Sequence, residues 1–325
     1  MKRFESFFKG KGLSRNFLSL VLAATAVTGC TNEMEPPEDV RQPMRVSVMN
    51  DLLISRAIIT DVVLPKGSEI GVTVTEDKTS RAAGDSYDGQ EYNNIKYTAG
   101  DGNKWDTTTK PLFSSTPGKT IAYFPYKTDG NYLAIPVETA SQTDYMYSGW
   151  VTGKNNSNPD VEFTMKHALT AFRVVLKKSA DYNAFAKATA ITVSSDKFVS
   201  SATLNAVDGS LSAWDGTGQI TVPVNVVDGV TVGHTLSTTP QYTDIMVVPA
   251  EEAGTTVSFT VSIEDADGNS KNYTLSKEFK DAMNQGTCYQ FTLTLTPKDL
   301  ELDGTTVVLW GGPVEVGDDP MEPVI

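Results

Sequence analysis

Histidine and cysteine are nearly missing from this chain. Its 325 residues include two histidines, His167 and His234, and two cysteines, Cys30 and Cys288. A structural zinc site draws about four ligands from these two types, so such a site is excluded. A Ser-His-Asp triad would have to use one of only two histidines. No Gly-x-Ser-x-Gly is present, nor a phosphate-cradling glycine loop carrying a lysine. Asp265-Ala-Asp267-Gly268-Asn269 approaches a calcium loop, but an EF-hand needs glycine at its sixth position and glutamate at its twelfth. Here glycine stands fourth and Ser276 twelfth, so the segment reads as a hairpin turn. None of the 40 acidic residues is singled out by spacing as a catalytic pair. Positive charge is scarce too: 27 lysines and arginines leave a formal charge of −13. A chain this acidic has no general attraction for nucleic-acid phosphates or anionic lipid. The reading is non-enzymatic, with no metal, no cofactor and no nucleic-acid partner.

Long apolar runs are also missing, and the one short run stands at the N-terminus. Lys2, Arg3, Lys9, Lys11 and Arg15 precede an uncharged stretch from Phe17 to Val27. That is shorter than the roughly 20 residues a membrane-spanning helix requires. A basic start, a short apolar core and small residues describe a secretory signal over residues 1–29. Val27-Thr28-Gly29-Cys30 resembles the bacterial lipobox, which implies that Cys30 is acylated and becomes the new N-terminus. Each buried acyl CH₂ contributes roughly 0.8 kcal/mol, so several chains give a firm anchor. Thr31 follows in place of an inner-membrane-retaining aspartate, so the expected location is the outer membrane and the cell surface. Residues 30–45 are acidic and proline-containing, and read as a flexible tether. Losing the five basic residues and one acidic residue of the leader takes the formal charge from −13 to about −17.

Beyond the tether, alternation with a period of two dominates. Val46, Val48, Leu52 and Ile54 form one such series, followed by Ile70, Val72 and Val74. Ile220–Val226, Val257–Ile263 and Tyr289–Leu295 alternate apolar residues with Thr, Ser, Gln or Asn. One apolar face and one polar face suit a half-buried strand. Asp208-Gly209 and Asp267-Gly268 read as hairpin turns between such strands. Helix signals are confined to Tyr182–Lys187 and Glu278–Asn284, the second stopped by Gly286. The fold class is therefore all-β, built of sandwiches. The polar stretch Thr152–Asp160 reads as an exposed loop or linker, and a boundary just after it gives domains over 46–160 and 161–298 and a tail over 299–325. Cys288, in an alternating segment, and His167, in the apolar context Phe163-Thr-Met-Lys-His167-Ala-Leu169, are both expected to pack in the interior.

Several segments together carry a resemblance. They are Val46–Ser55 closing on Arg56-Ala57, Gly67-Ser-Glu-Ile-Gly71-Val, Trp105 and Ile121-Ala-Tyr-Phe-Pro125-Tyr126. Val161–Leu169, Met246-Val-Val-Pro249-Ala, Gly286-Thr-Cys-Tyr-Gln-Phe-Thr-Leu and Trp310 complete the series. In order and spacing the chain resembles the fimbrillin-like proteins of Bacteroidales, the subunits of type V pili. The resemblance implies two tandem transthyretin-like β-sandwich domains and export as a lipoprotein. It implies cleavage by an arginine-specific protease after the first strand, here at Arg56-Ala57, displacing Val46, Val48, Leu52 and Ile54. A neighbouring pilin subunit then fills the groove with its own strand. The tail supplies the candidate donor: Leu300, Leu302, Val307, Leu309 and Trp310, with Val314-Glu-Val316 beyond. Arg41, Arg45 and Arg81 are competing sites, the first two lying before the strand and the third beyond the next one. On the residues alone, Arg56 is an ordinary charged strand end and the tail completes its own domain. The alternative function is a surface adhesin or glycan-binding lipoprotein, since Trp105, Trp150, Trp214, Trp310 and 12 tyrosines could stack on sugars. A host or bacterial surface receptor is then a further partner.

Overall fold

In the computed structural model, the residues described are 39–50, 64–78, 86–216, 218–227, 230–308 and 310. Nearly all regular structure is strand. A seven-stranded sheet runs β2 (Arg45–Asn50), β10 (Asp160–His167), β9 (Met146–Lys154), β7 (Gly118–Phe124), β3 (Glu69–Glu76), β4 (Tyr92–Ala99), β5 (Trp105–Asp106). The sheet rolls until its ends meet: the Val48 amide at one edge donates to Asn103 Oδ1, beside β5 at the other, at 3.2 Å. The interior holds Val48, Ile70, Val72, Val74, Phe113 and Phe163, all fully buried. A short pair, β1 (Gln42–Pro43) with β6 (Leu112–Phe113), closes one side.

In the second half, two sheets pack face to face. One runs β19 (Gln241–Val247), β11 (Thr170–Lys178), β22 (Cys288–Leu295), β23 (Leu300–Val308). The other runs β15 (Gln219–Pro223), β12 (Lys187–Ser194), β20 (Thr255–Glu264), β21 (Ser270–Phe279), with β18 (His234–Thr235) also on β12. Phe172, Phe259 and Phe291 meet between them with ring centroids 4.5–5.9 Å apart. Alternation explains the strands: β20 buries Val257, Phe259, Val261 and Ile263 and turns the intervening Ser and Thr outward, as a two-sided pleat requires. The expected turns are present. Asp265 Oδ1 accepts the amides of Asp267 and Asn269 between β20 and β21, which is what these residues do in place of calcium ligation. Those hydrogen bonds hold the Asp265 carboxyl below its ordinary range. A small hairpin, β16 (Val226–Val227) with β17 (Val230–Thr231), projects from this half.

The halves are joined by a shared three-stranded sheet, β14 (Leu211–Asp215), β13 (Ser201–Leu204), β8 (Ile135–Glu138), whose last strand comes from the first half. Ile121, Ile135, Val137, Leu169, Leu204 and Val248 fill the core beneath it. The Asp208-Gly209 hairpin packs on this junction. Gly209 has φ +80°, and an added Cβ would stand 2.0 Å from the Tyr147 ring, so both conformation and space demand glycine.

Three expectations are replaced. The loop read over Thr152–Asp160 is there, as the tip of the β9–β10 hairpin and not as a linker between domains, with Asn155 Oδ1 accepting the amides of Ser157 and Asn158. The chain leaves the first sheet only after His167, and β11 begins at Thr170. Neither expected helix forms. Glu278 stays in β21 opposite Thr256, and the Met283 amide is drawn to Ala250 O as its side chain buries. Between Tyr182 and Lys187 the chain is irregular until β12 starts, because Ala186 and Tyr182 are claimed by the sandwich core. Third, the segment set apart as a tail begins inside a sheet, as β23. Among the described residues no helix is long and apolar enough to cross a membrane, and no cluster of three His, Cys, Asp or Glu is placed to hold a metal.

Candidate strand-exchange site

The two segments singled out by alternation at the ends of the chain are both edge strands, one in each half. β2 lies parallel to β10, with Val46 opposite Val161, Val48 opposite Phe163 and Asn50 opposite Met165. At the edge β2 is ladder-paired on one side only, and on the other it is held by the Val48 amide on Asn103 Oδ1. Val46 and Val48 point inward, and so does Met44, which continues the same alternation two residues earlier. Val48 is fully buried. Its amide shares Asn103 Oδ1 with Trp105 Nε1, which donates at 3.1 Å. At the start of the strand Arg45 makes a forked pair with Asp160, Nη2 to Oδ2 at 2.9 Å. The pairing raises the pKa of Arg45 and lowers that of Asp160, chiefly through the hydrogen bonds between them.

The preceding residues are tied down as well. Met44 N–H donates to Pro111 O at 2.9 Å, Arg41 pairs with Asp88 at 2.6 Å, and Asp39 Oδ1 accepts the Ser115 amide at 2.8 Å. These contacts fix the segment that leads into β2. Leu52, Ile54, Arg56 and Ala57 lie outside the described residues, as does Cys30.

At the other end, β23 runs antiparallel to β22, Leu300 opposite Leu295 and Val308 opposite Cys288. Leu300 and Val308 are buried, Leu302 is half-buried, and Val307 is exposed. The tail thus completes its own sandwich as far as Val308. Leu309 is outside the described residues; Trp310 is not, and it closes the strand by stacking on His167, centroids 4.2 Å apart at 16°. His167 is buried, and its Nδ1 lies 3.0 Å from Asp144 Oδ1. His167 ends β10, the strand along which β2 lies from Asp160 to Met165, so Trp310, two residues past β23, touches the strand that carries β2. Cys288 is buried beside Val308, and burial pushes its thiol up to about 12, far from a reactive thiolate.

Sequence reasoning missed Met44, Asn103, Asp144 and Asp160. Met44 was legible as one more step of the alternation. The other three act across loops and strands far away in sequence, and nothing local marks them. Of the tryptophans weighed as sugar platforms, Trp105 is buried and Trp150 stands edge-on to Tyr132 at 5.5 Å, with Lys119 5.1 Å over its ring. Core and junction packing occupy both.

The model of the fimbrillin-like family matches residues 55–310. A Bacteroides uniformis protein named as a fimbrium subunit, Fim1C, is 25% identical over 289 residues, spanning 76% of this chain and 91% of that protein. A crystal structure of a B. uniformis protein described as a cell adhesion protein aligns with a TM-score of 0.54 at 22% identity, over 83% of this chain and 99% of its own. Another, from Bacteroides ovatus, aligns with a TM-score of 0.63 at 16% identity, over 85% of this chain and 100% of its own. At those identities the two structures show the fold.

Proposed function

The chain belongs to the fimbrillin-like family, a structural and non-enzymatic class, and from that premise we propose that it is a cell-surface fimbrial subunit that polymerises by exchanging edge strands. The observation that carries the proposal is β2: a six-residue edge strand whose Val46 and Val48 fill the rolled sheet. In the proposed precursor, Cys30 is lipidated and anchors the chain to the outer membrane. An arginine-specific protease cuts at Arg56-Ala57. Segment 42–50, no longer tethered on its C-terminal side, leaves and opens a groove lined by β10 on one side and Asn103 and Trp105 on the other. The tail of a neighbouring subunit enters, satisfying the open backbone groups and refilling the apolar sites, as in strand-addition recognition generally.

The energetics favour exchange over net gain. Met44, Val46 and Val48 are buried in the leaving segment, and Leu300 and Val308 in the tail. Each such side chain is worth roughly 1.5–3 kcal/mol on burial, so a donor segment with as many apolar residues recovers what the leaving strand loses, whereas β23 itself would forfeit its own burial on leaving its sandwich. Before cleavage the covalent link keeps the resident strand at high effective concentration and blocks the competitor. In the monomer β23 is paired to β22, so donation requires its release or uses the residues that follow it. Adhesion, which the structural relatives' descriptions name, is compatible with a fimbrial subunit of this kind. N-terminal sequencing of assembled material tests the proposal: polymers should begin at Ala57, and polymers beginning near Cys30 would overturn it.

A further inference from the structure

The outer face of the β15–β12–β20–β21 sheet is a lattice of uncharged residues in register. One row across the four strands is Thr221, Thr192, Thr260, Thr274. The row on one side is Gln219, Ser194, Ser258, Ser276, and on the other Pro223, Ala190, Ser262, Asn272. The polar groups pair across strands: Thr192 with Thr221, Thr260 with Thr274 and Ser258 with Ser276, each at 2.8 Å, and Ser262 Oγ donates to Asn272 Oδ1 at 2.9 Å. None of these 12 positions is charged, in a chain of net charge −13 whose residues are 21% charged. Charge returns at the borders, with the Lys187–Glu264 pair at one end and Glu278 opposite Thr256 at the other.

We propose that this face is a self-association surface through which copies of this chain pack side by side. Acidic copies repel one another over most of their surface, and this neutral face is where two can approach without opposing like charges. A hydroxyl both donates and accepts, so such a face complements itself across a two-fold axis. Threonine is stiff at χ1, and the cross-strand pairs already order these side chains, so contact costs little further entropy. No aromatic ring stands among the 12 to stack on a sugar, and no cation to hold a phosphate. Strands about 4.8 Å apart and about 6.8 Å between outward residues give roughly 400 Å² per copy, or about 800 Å² for a pair. That is below the roughly 1,200–2,000 Å² of stable interfaces, so isolated copies stay apart and association becomes firm only when many copies are arrayed. On the proposed polymer the array is the fibre, and the consequence is lateral bundling; that consequence rests on the fimbrial reading.

The test uses the full mature chain, uncleaved, coupled densely to beads, so that it is independent of polymerisation. Wild-type beads should cluster at physiological salt, while T192E/T260E beads cluster about tenfold less, the loss multiplied over many weak contacts. A T192K/T260K chain, with its circular dichroism and melting checked against wild type, should restore clustering when mixed with the glutamate beads. Dispersed wild-type beads, glutamate beads that cluster like wild type, or clustering that needs an added polysaccharide would each overturn the proposal. In fibres made by arginine-protease treatment, the glutamate variant should form single filaments where wild type bundles. Failure to form filaments at all would count against strand exchange and leave the bead result standing.

Discussion

A chain whose first strand cannot stay in its groove should polymerise without being cut. The perturbation is V48D combined with R56A, the second change removing the proposed protease site. Val48 is fully buried, with its amide on Asn103 Oδ1 and Phe163 opposite. The segment is held by Met44, Val46 and Val48, worth roughly 5–9 kcal/mol together as an upper estimate from burial. Losing Val48 subtracts roughly 1.5–3 kcal/mol. An unpaired carboxylate in that position costs about 3 kcal/mol or more, since Val48 sits within an apolar cluster. What remains, roughly 0–3 kcal/mol, falls well short of the backbone entropy of ordering six residues, roughly 1–2 kcal/mol each, so the strand should come out. The rest of the rolled sheet keeps its own hydrogen bonds and should stay folded. Sedimentation and electron microscopy should find polymers for V48D/R56A and monomers for R56A alone. Hydrogen exchange should show the β10 amides protected in the R56A monomer and in the polymer, and exposed in dilute V48D/R56A. Monomeric V48D/R56A with β2 still protected, or polymers from R56A alone, would refute the reasoning.

Replacing Trp310 by Ala removes the stack on His167 and should cost about 1 kcal/mol, read as faster hydrogen exchange in β23 with little change in the seven-stranded sheet. The Asp160 carboxyl is held below its ordinary value by Arg45, so its contribution to holding β2 is complete above the unfolded carboxylate range and fades as the pH falls through the lowered folded value. D160N should remove that acid sensitivity, measured as β2 exchange against pH, while leaving the melting of the second half unchanged. C30A should move the protein from the membrane fraction to the soluble fraction; a variant that stays anchored at unchanged mass would rule out lipidation at this residue.

Much of the outline was legible because burial leaves a local signature. Val257–Ile263 alternates for as long as β20 lasts, Asp208-Gly209 and Asp267-Gly268 turn where the chain must reverse, and the apolar setting of His167 announces its burial. The candidate site was half legible: the alternation of β2 and of the tail is written in the residues, but their partners are not. A pleat fixes which side chains face inward every second residue and says nothing about which strand supplies the hydrogen bonds. Only the tertiary structure decided that β2 lies parallel to β10, more than a hundred residues on, and that β11 pairs with β22. It also decided that β8 joins β13 across the two halves, and that Thr152–Asp160 is the tip of a hairpin. The same holds for Glu278–Asn284, where packing of Met283 and the β20–β21 ladder outweighs a local helical preference worth a few tenths of a kcal/mol per residue. Sequence sets the faces and the turns because those are local costs of solvation and backbone conformation. Pairing is a long-range competition for edges, and it is settled by the whole fold at once.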